Sequence, residues 1–269
     1  MIPMQLGEGS STANFYDELA ASYDRIYPNW ESAFRRQGRA LHDMLCNELG
    51  PGPHNIHDAA VGIGTQLLGL AEYGHRMSGT DISGEAVKRA GTECGNRGTD
   101  ADLRVADMRA LPFPDNSFDA VICADNSLPH LMTESDVVRA LGEMARVTRP
   151  GGVVLVTIRD YEEVRREQLP GTLPQVSKGE ADETITFQVW DWHADHAHYD
   201  LQHFQLVGKE GDWKVFSRKT SYWAVTRSEL FACAAQVNLA DAEWLMPAET
   251  NFFQPVLMVR IPVAEEHSG

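Results

Sequence analysis

The sequence predicts an α/β fold in which a parallel sheet carries helices on both faces, and three observations predict it. Short apolar runs alternate with amphipathic segments between residues 55 and 158. A glycine turn, Asp58-Ala59-Ala60-Val61-Gly62-Ile63-Gly64-Thr65, joins the first run to the first amphipathic segment, and a carboxylate, Asp81, closes the second run. The 269 residues, 43% hydrophobic and 23% charged, suffice for one large domain with a proper core.

Residues 15–49 carry apolar and aromatic side chains at helical spacing (Phe15, Leu19, Tyr23, then Phe34, Leu41, Leu45), with a break at Pro28. Gly50, Pro51, Gly52 and Pro53 stop that segment. Residues 55–60 read as strand, 65–73 as helix, 76–80 as strand, and 84–94 as a helix that Ser83 caps. Strands at 102–106, 118–124 and 153–158 and a helix at 134–146 continue the alternation, with a turn at 111–117. Residues 160–179 are charged and contain Pro170, Gly171, Pro174 and Gly179, which marks a mobile loop or lid. Between 183 and 223, three runs rich in Thr, Val, Phe, Trp and Tyr are separated by turn-like 191–196 and 209–212, the pattern of a three-stranded antiparallel insertion. A helix at 227–236, capped by Thr226, and strands near 241–245 and 256–261 follow. The expected organisation is a helical cover over 1–50, a core over 51–160 and 226–264, and an inserted lid and antiparallel cap over 161–225.

Charge and composition remove several classes of function. Twenty-three basic against 39 acidic residues leave a net charge of −16, which repels phosphate backbones and anionic lipid, so no nucleic-acid or membrane partner is expected. No apolar run approaches the roughly 20 residues of a membrane helix, and residues 1–12 lack the basic and apolar regions of a signal peptide, so a cytoplasmic location is expected. Cys46, Cys94, Cys123 and Cys233 form no CxxC pair and read as reduced. His193, His196, His198 and His203 lie near Asp191, Asp195 and Asp200, but alternation along a hairpin separates them, so no metal is expected. A homo-oligomer is left open.

The chemistry concentrates at the glycine turn. Such a turn lets backbone approach a ligand, although it also serves a strand packed closely on a helix. Asp81, about 20 residues on, can accept both hydroxyl hydrogen bonds of a ribose, and the pair points to a nucleoside. Ala60 stands where the first glycine of a dinucleotide fingerprint would fall, which disfavours a pyrophosphate cofactor. S-adenosylmethionine has no phosphate to cradle. Asp107 and Met108 follow the third strand and offer an acceptor for an adenine amino group beside an apolar face, and Cys123 to His130 deliver polar groups to the same sheet edge.

These residues resemble class I S-adenosylmethionine-dependent methyltransferases, and Asn126 to Leu131 (NSLPHL) resembles the glycine and sarcosine N-methyltransferase branch of bacterial small-molecule enzymes. The segments FYDELAASYDRIYPNWE, TIRDY, FQVWDW and WLMPAETNFFQP extend the likeness over nearly the whole chain. The resemblance implies a Rossmann-like sheet, S-adenosylmethionine as cofactor and S-adenosylhomocysteine as product. It places Ala60 and Gly62 at the methionine part, Asp81 at the ribose, Ile82 and Met108 on the adenine faces, Asp107 at the adenine amino group, and Tyr16, Tyr23, Trp30, Arg36 and Asp125 around the cofactor. Arg36 is offered as the partner of the cofactor carboxylate. Two departures from the family pattern stand out: Ala60 replaces a common glycine, and Asp125 occupies a position where glycine is usual.

For the acceptor, Asn126, His130 and Tyr23 are the candidate catalytic groups, with Arg159, Tyr161, Trp192 and Tyr222 joining Asn126 and His130 as candidate binding residues. Methyl transfer is an in-line displacement, so alignment and exclusion of water supply most of the rate. Arg159 suits either an acceptor carboxylate or an ion pair with Asp160. A nitrogen of a neutral heterocycle or other natural product is the preferred acceptor, since Asp125 adds negative charge and the insertion is rich in tryptophan. A glycine-type amino acid, an oxygen or carbon acceptor, and a regulatory protein that only binds the cofactor are the alternatives.

Overall fold

The computed structural model describes residues 11–178, 183–209, 211–239 and 241–263. Residues 1–10, Gly179, Glu210 and residue 264, assigned from sequence to the N-terminal cover, the lid, a turn and the end of the core, lie outside them. Strands β1 (Asn55–Asp58), β2 (Arg76–Asp81), β3 (Ala101–Val105), β4 (Phe118–Cys123), β5 (Thr148–Thr157), β10 (Ala242–Leu245) and β11 (Val256–Arg260) form one sheet in the order β10-β11-β5-β4-β1-β2-β3. Among these strands β11 alone points opposite to the other six. The runs Ala120-Val121-Ile122-Cys123 and Val153-Val154-Leu155-Val156 are buried on both sides, as a sheet sandwiched by helices demands.

One face packs under α2 (Trp30–Leu49) and α3 (Thr65–Ala71), through Phe34, Leu41, Leu45, Leu67 and Leu70 onto Ile56, Ile122 and Leu155. The other holds α5 (Glu134–Val147) and α7 (Arg227–Gln236) against Val121, Val154 and Val156. Helices α2 and α3 touch backbone to backbone: a methyl on Gly38 would run into the main chain of Gly69. His57 is buried inside the sheet, its Nδ1 2.9 Å from Ser78 Oγ and its Nε2 3.0 Å from Thr80 Oγ1. Helix α1 (Thr12–Leu19) and a 3₁₀ segment, Ala20–Ile26, cross the carboxyl edge of the sheet toward α4 (Gly84–Arg97). Asp17 Oδ1 accepts from Ser83 Oγ (2.6 Å) and from the Glu85 amide (3.1 Å), which fastens this segment to the start of α4.

Two expectations are corrected. The stretch 160–179 is not wholly loop, because it holds helix α6 (Tyr161–Glu167) and strand β6 (Gln175–Lys178). Glu162 and Glu163 at the start of α6 and Arg165 and Arg166 at its end complement the helix dipole; the charge that reads as loop is therefore helical polarity. Strand β6 pairs with β7 (Glu183–Trp192), which pairs with β8 (His198–Lys209) and through it with β9 (Asp212–Trp223). The antiparallel sheet thus has four strands rather than three.

Candidate functional site

A cavity of about 310 Å³ opens at the carboxyl edge of the sheet, beneath α1. The glycine turn forms its floor. Gly62 has φ 51° and Gly64 φ 96°, left-handed conformations that glycine adopts without strain. The Gly62 amide donates to Asp81 Oδ2 (2.8 Å) and the Ser83 amide to Asp81 Oδ1 (2.9 Å), so the carboxylate is fixed with capacity left for further donors. Burial raises the Asp81 carboxyl above its ordinary range. Asp58 lies just behind: its Oδ1 accepts from the Ala60 amide (3.2 Å), its Oδ2 is buried without a partner, and burial pushes the group up to about 7.

Ile82, 41% exposed, and Met108 present apolar surface along the same cavity. Asp107 is held by Arg109, whose Nε lies 3.0 Å from Oδ1 and whose Nη2 lies 2.5 Å from Oδ2, while Arg109 Nη1 reaches Asp136 Oδ2 at 2.9 Å. That pairing lowers the Asp107 carboxyl, which therefore remains a charged acceptor.

Tyr16 and Tyr23, both carried by the N-terminal segment, line this cavity and also a second one of about 200 Å³ beneath the antiparallel sheet. Arg159 and Tyr222 line the second, with Thr172, Gln175, Thr186, Gln188 and His203. Arg159 Nη1 and His203 Nε2 are buried there without hydrogen-bond partners, and among the described lining residues there is no carboxylate. The Arg159 guanidinium carbon sits 4.9 Å from the centre of the Trp190 ring, and among the described residues the alternative pair with Asp160 is not made. Asp160 faces Arg227 instead, at 3.9 Å. Burial, and then Arg218, lowers His203 to about 4, so its ring is neutral.

Beside the first cavity, the end of β4 turns through two consecutive left-handed residues, Asp125 (φ 56°) and Asn126 (φ 65°). The Asp125 amide donates to Thr157 Oγ1 (2.9 Å), and Thr157 Oγ1 donates to Gln254 Oε1 (2.7 Å). Tyr27 donates its hydroxyl to Asp125 Oδ2 at 2.7 Å. Burial raises the Asp125 carboxyl, against the opposing pull of Tyr27 and Arg159. Tyr16 Oη lies 2.8 Å from His130 Nε2 and 3.4 Å from Tyr222 Oη, and burial lowers His130 to about 3.

Among the residues singled out from sequence, Tyr16, Tyr23, Ala60, Gly62 and Asp81 line the first cavity, as do Ile82, Asp107, Met108, Asp125 and His130. Five others do not reach a cavity as expected. Arg36 is exposed on the solvent side of α2, because the apolar stripe of that helix turns its basic face outward. Trp30 packs edge-on to Phe34 and donates Nε1 to Thr65 Oγ1 (2.9 Å), bracing the start of α3. Asn126 is buried with both polar ends used: Nδ2 donates to Tyr161 Oη (2.9 Å) and Oδ1 accepts from the Arg159 amide (3.0 Å). Tyr161 is fully buried, 3.1 Å from Tyr199 Oη, and Trp192 donates to the Leu169 carbonyl at 2.9 Å. These side chains support the site from behind.

Tyr27, Arg109 and His203 are site residues that the sequence does not single out. Arg109 is foreshadowed by its place two residues after Asp107, and His203 by strand alternation with Leu201 and Gln205. The histidine cluster divides. His193 faces Asp200 (3.3 Å), His198 pairs with Asp195 (2.6 Å), His196 meets Gln168 (3.0 Å) and His203 turns into the second cavity. No helix among the described residues is long and apolar enough to cross a membrane.

A family model described as a methyltransferase domain matches residues 56–152. The demethylmenaquinone methyltransferase of Renibacterium salmoninarum is 31% identical over 172 residues, which cover 60% of this chain and 69% of that relative. Among solved structures, a sugar N-methyltransferase from Streptoalloteichus sp. superposes with a TM-score of 0.74 at 18% identity, over 97% of this chain and 98% of the other. An S-adenosylmethionine-bound amino pentose methyltransferase from Micromonospora echinaspora gives 0.73 at 17% identity, over 91% and 96%. At these identities the likeness to solved structures is one of fold. The residues present fit the cofactor: a glycine turn for its amino-acid end, a fixed Asp81 for the ribose hydroxyls, and Ile82, Met108 and Asp107 for the adenine. The chain belongs to the class I S-adenosylmethionine-dependent methyltransferases, and S-adenosylmethionine is its cofactor.

Proposed function

We propose that the enzyme transfers the methyl group to a nitrogen of a small molecule held in the second cavity. The observation that carries this reading is the wall formed by Tyr16 and Tyr23, which belongs to both cavities and so sets the cofactor beside a separate chamber for an acceptor. S-adenosylmethionine supplies an electrophilic methyl on a sulfonium. The two tyrosines and Tyr222 exclude water from the point of transfer, and Arg159 orients the acceptor.

A nitrogen is favoured because His130, lowered to about 3 and held by Tyr16, is a poor base for a phenol or a carbon acid. An amine needs only a free lone pair at the moment of transfer. The unpartnered Arg159 favours an acceptor with a carboxylate or carbonyl oxygen close to that nitrogen. The insertion tryptophans do not line this cavity, since Trp190 lies against Arg159 and Trp192 is tied to Leu169, and its apolar surface comes from Phe15, Leu19, Ile26, Phe187 and Leu201. The likeness of the NSLPHL segment to glycine and sarcosine N-methyltransferases makes the same demand on Arg159.

The test is transfer of labelled methyl from S-adenosylmethionine to a panel of amino acids, amino sugars, azaheterocycles, phenols and quinols, with the methyl located by NMR. Label on nitrogen, strongest in amines bearing a carboxylate or carbonyl, is the expected result. Label only on carbon or oxygen overturns the nitrogen reading. Tight cofactor binding with no transfer to any acceptor overturns the enzymatic one and points to a regulatory cofactor-binding protein.

A further inference from the structure

Asp125 is a half-buried carboxylate in the wall of the first cavity, and its hydrogen bonds use only half of it. Oδ2 accepts from Tyr27, whereas among the described residues no hydrogen bond reaches Oδ1. The cation that faces it, Arg159, belongs to the second cavity and is too far for an ion pair within 4.0 Å among the described residues. Arg109, which lines the first cavity, is spent on Asp107 and Asp136. An unneutralised charge in a desolvated wall is costly unless a ligand brings its counterpart. The groups that feel the Asp125 charge are Tyr16 and Tyr23, the wall shared by both cavities, along with Tyr27 and Arg159. Its backbone is built for the task, since Thr157 and Gln254 hold the left-handed turn that aims the side chain away from the sheet.

We propose that Asp125 receives the acceptor nitrogen, so that the substrate is a basic aliphatic amine that enters as its ammonium ion. This deepens the N-methyltransferase reading and rests on it. The ammonium gives one N–H proton to Asp125 Oδ1. The freed lone pair forms the N–C bond while the C–S bonding pair returns to sulfur, and the carboxylic acid then releases its proton to water. Burial suits Asp125 to this exchange, because a carboxyl with a raised affinity for protons takes one from an ammonium more readily than an exposed carboxyl does. An amide or a weakly basic ring nitrogen, neutral on arrival, has no use for the group.

The test needs no known acceptor. Sinefungin replaces the S-methyl sulfonium of the cofactor by a carbon bearing an ammonium group, which places a charged N–H donor where the transferring methyl would stand. Its affinity is compared by calorimetry with those of S-adenosylmethionine and S-adenosylhomocysteine, for the wild type and for Asp125→Asn. Asparagine tolerates the left-handed backbone and can keep the Tyr27 hydrogen bond. The variant is expected to lose sinefungin affinity at least tenfold, to lose S-adenosylmethionine affinity no more than about threefold, and to bind S-adenosylhomocysteine within about twofold of wild type. Asp125→Gly, which also accepts φ 56°, should reproduce that order. Equal loss for all three ligands would assign Asp125 to the amino-acid end of the cofactor and overturn the proposal. Equal loss for the two charged ligands, or no change for any, would overturn it as well, in favour of a general field or a structural role. These are binding measurements, so their failure is separate from a failure of the acceptor screen.

Discussion

Asp81 is braced by two backbone amides, Gly62 on one carboxylate oxygen and Ser83 on the other. A carboxylate held this way at the end of the second strand of such a sheet is placed to accept from the hydroxyls of a ribose. Asp81→Ala is expected to weaken S-adenosylhomocysteine binding by about 1.5–3 kcal/mol, because charge-assisted hydrogen bonds are lost and the glycine turn loses its anchor. Calorimetry checks this, and unchanged affinity would remove Asp81 from the ribose. His57 carries a second expectation. Burial lowers it to about 3, so it is neutral in the folded chain while the unfolded chain protonates near 6.5. Its contribution to stability is complete above pH 6.5 and is lost as pH falls toward about 3, at up to about 1.4 kcal/mol per pH unit. His57→Gln can keep a contact to Ser78 or Thr80 and does not titrate, so its urea midpoint should fall less steeply than that of the wild type between pH 6 and 4. Parallel curves would contradict this account. The place of Asp81 at the end of β2, in the wall of the first cavity, was legible in the sequence. Neither the internal use of Asn126 nor the grip of Tyr27 on Asp125 was legible, since each depends on a partner 35 or 98 residues away.

At the scale of elements, the central strands were legible because burial on both faces forces continuous apolar runs such as 153–156. Helix α6 was missed for the opposite reason. It has seven residues, and its buried side is only Tyr161 and Val164, too little for a periodic signal. Strand β6, with four residues at the edge of a sheet, offers even less. The contact of α2 with α3 was invisible in the same way, since a glycine inside a helix reads as a weakness rather than as a fit. Gly38→Ala would ordinarily favour a helix by up to about 1 kcal/mol. Here the added methyl meets the backbone of Gly69, and overpacking should reverse the sign and destabilise the protein by about 1–3 kcal/mol. Chemical denaturation reads the effect directly. Cofactor affinity should fall with it, because α3 begins at the glycine turn. A stabilised variant would show that the helices can part without cost.

For the molecule as a whole, the first cavity was legible and the second was not. The cofactor end is built from residues that follow one another along strands β1 to β4, so spacing alone brings them to one edge. The second cavity is assembled from α1, the 3₁₀ segment, the residues after β5, and all four strands of a separate sheet, a meeting that depends on how two layers dock. Sequence therefore named Arg159 and Tyr222 but gave Trp192 and Tyr161 the same standing. The N-terminal segment ties the layers together: Asp17 fastens it to α4, and Ser22 Oγ donates to Gln205 Oε1 (2.8 Å) in the antiparallel sheet. Tyr16 and Tyr23 on that segment close both cavities, which makes one roof serve two rooms. In kinetic language, a shared roof predicts an ordered addition, nucleoside before acceptor, with S-adenosylhomocysteine released last, and product-inhibition patterns check it: S-adenosylhomocysteine competing with S-adenosylmethionine but not with the acceptor is the expected result.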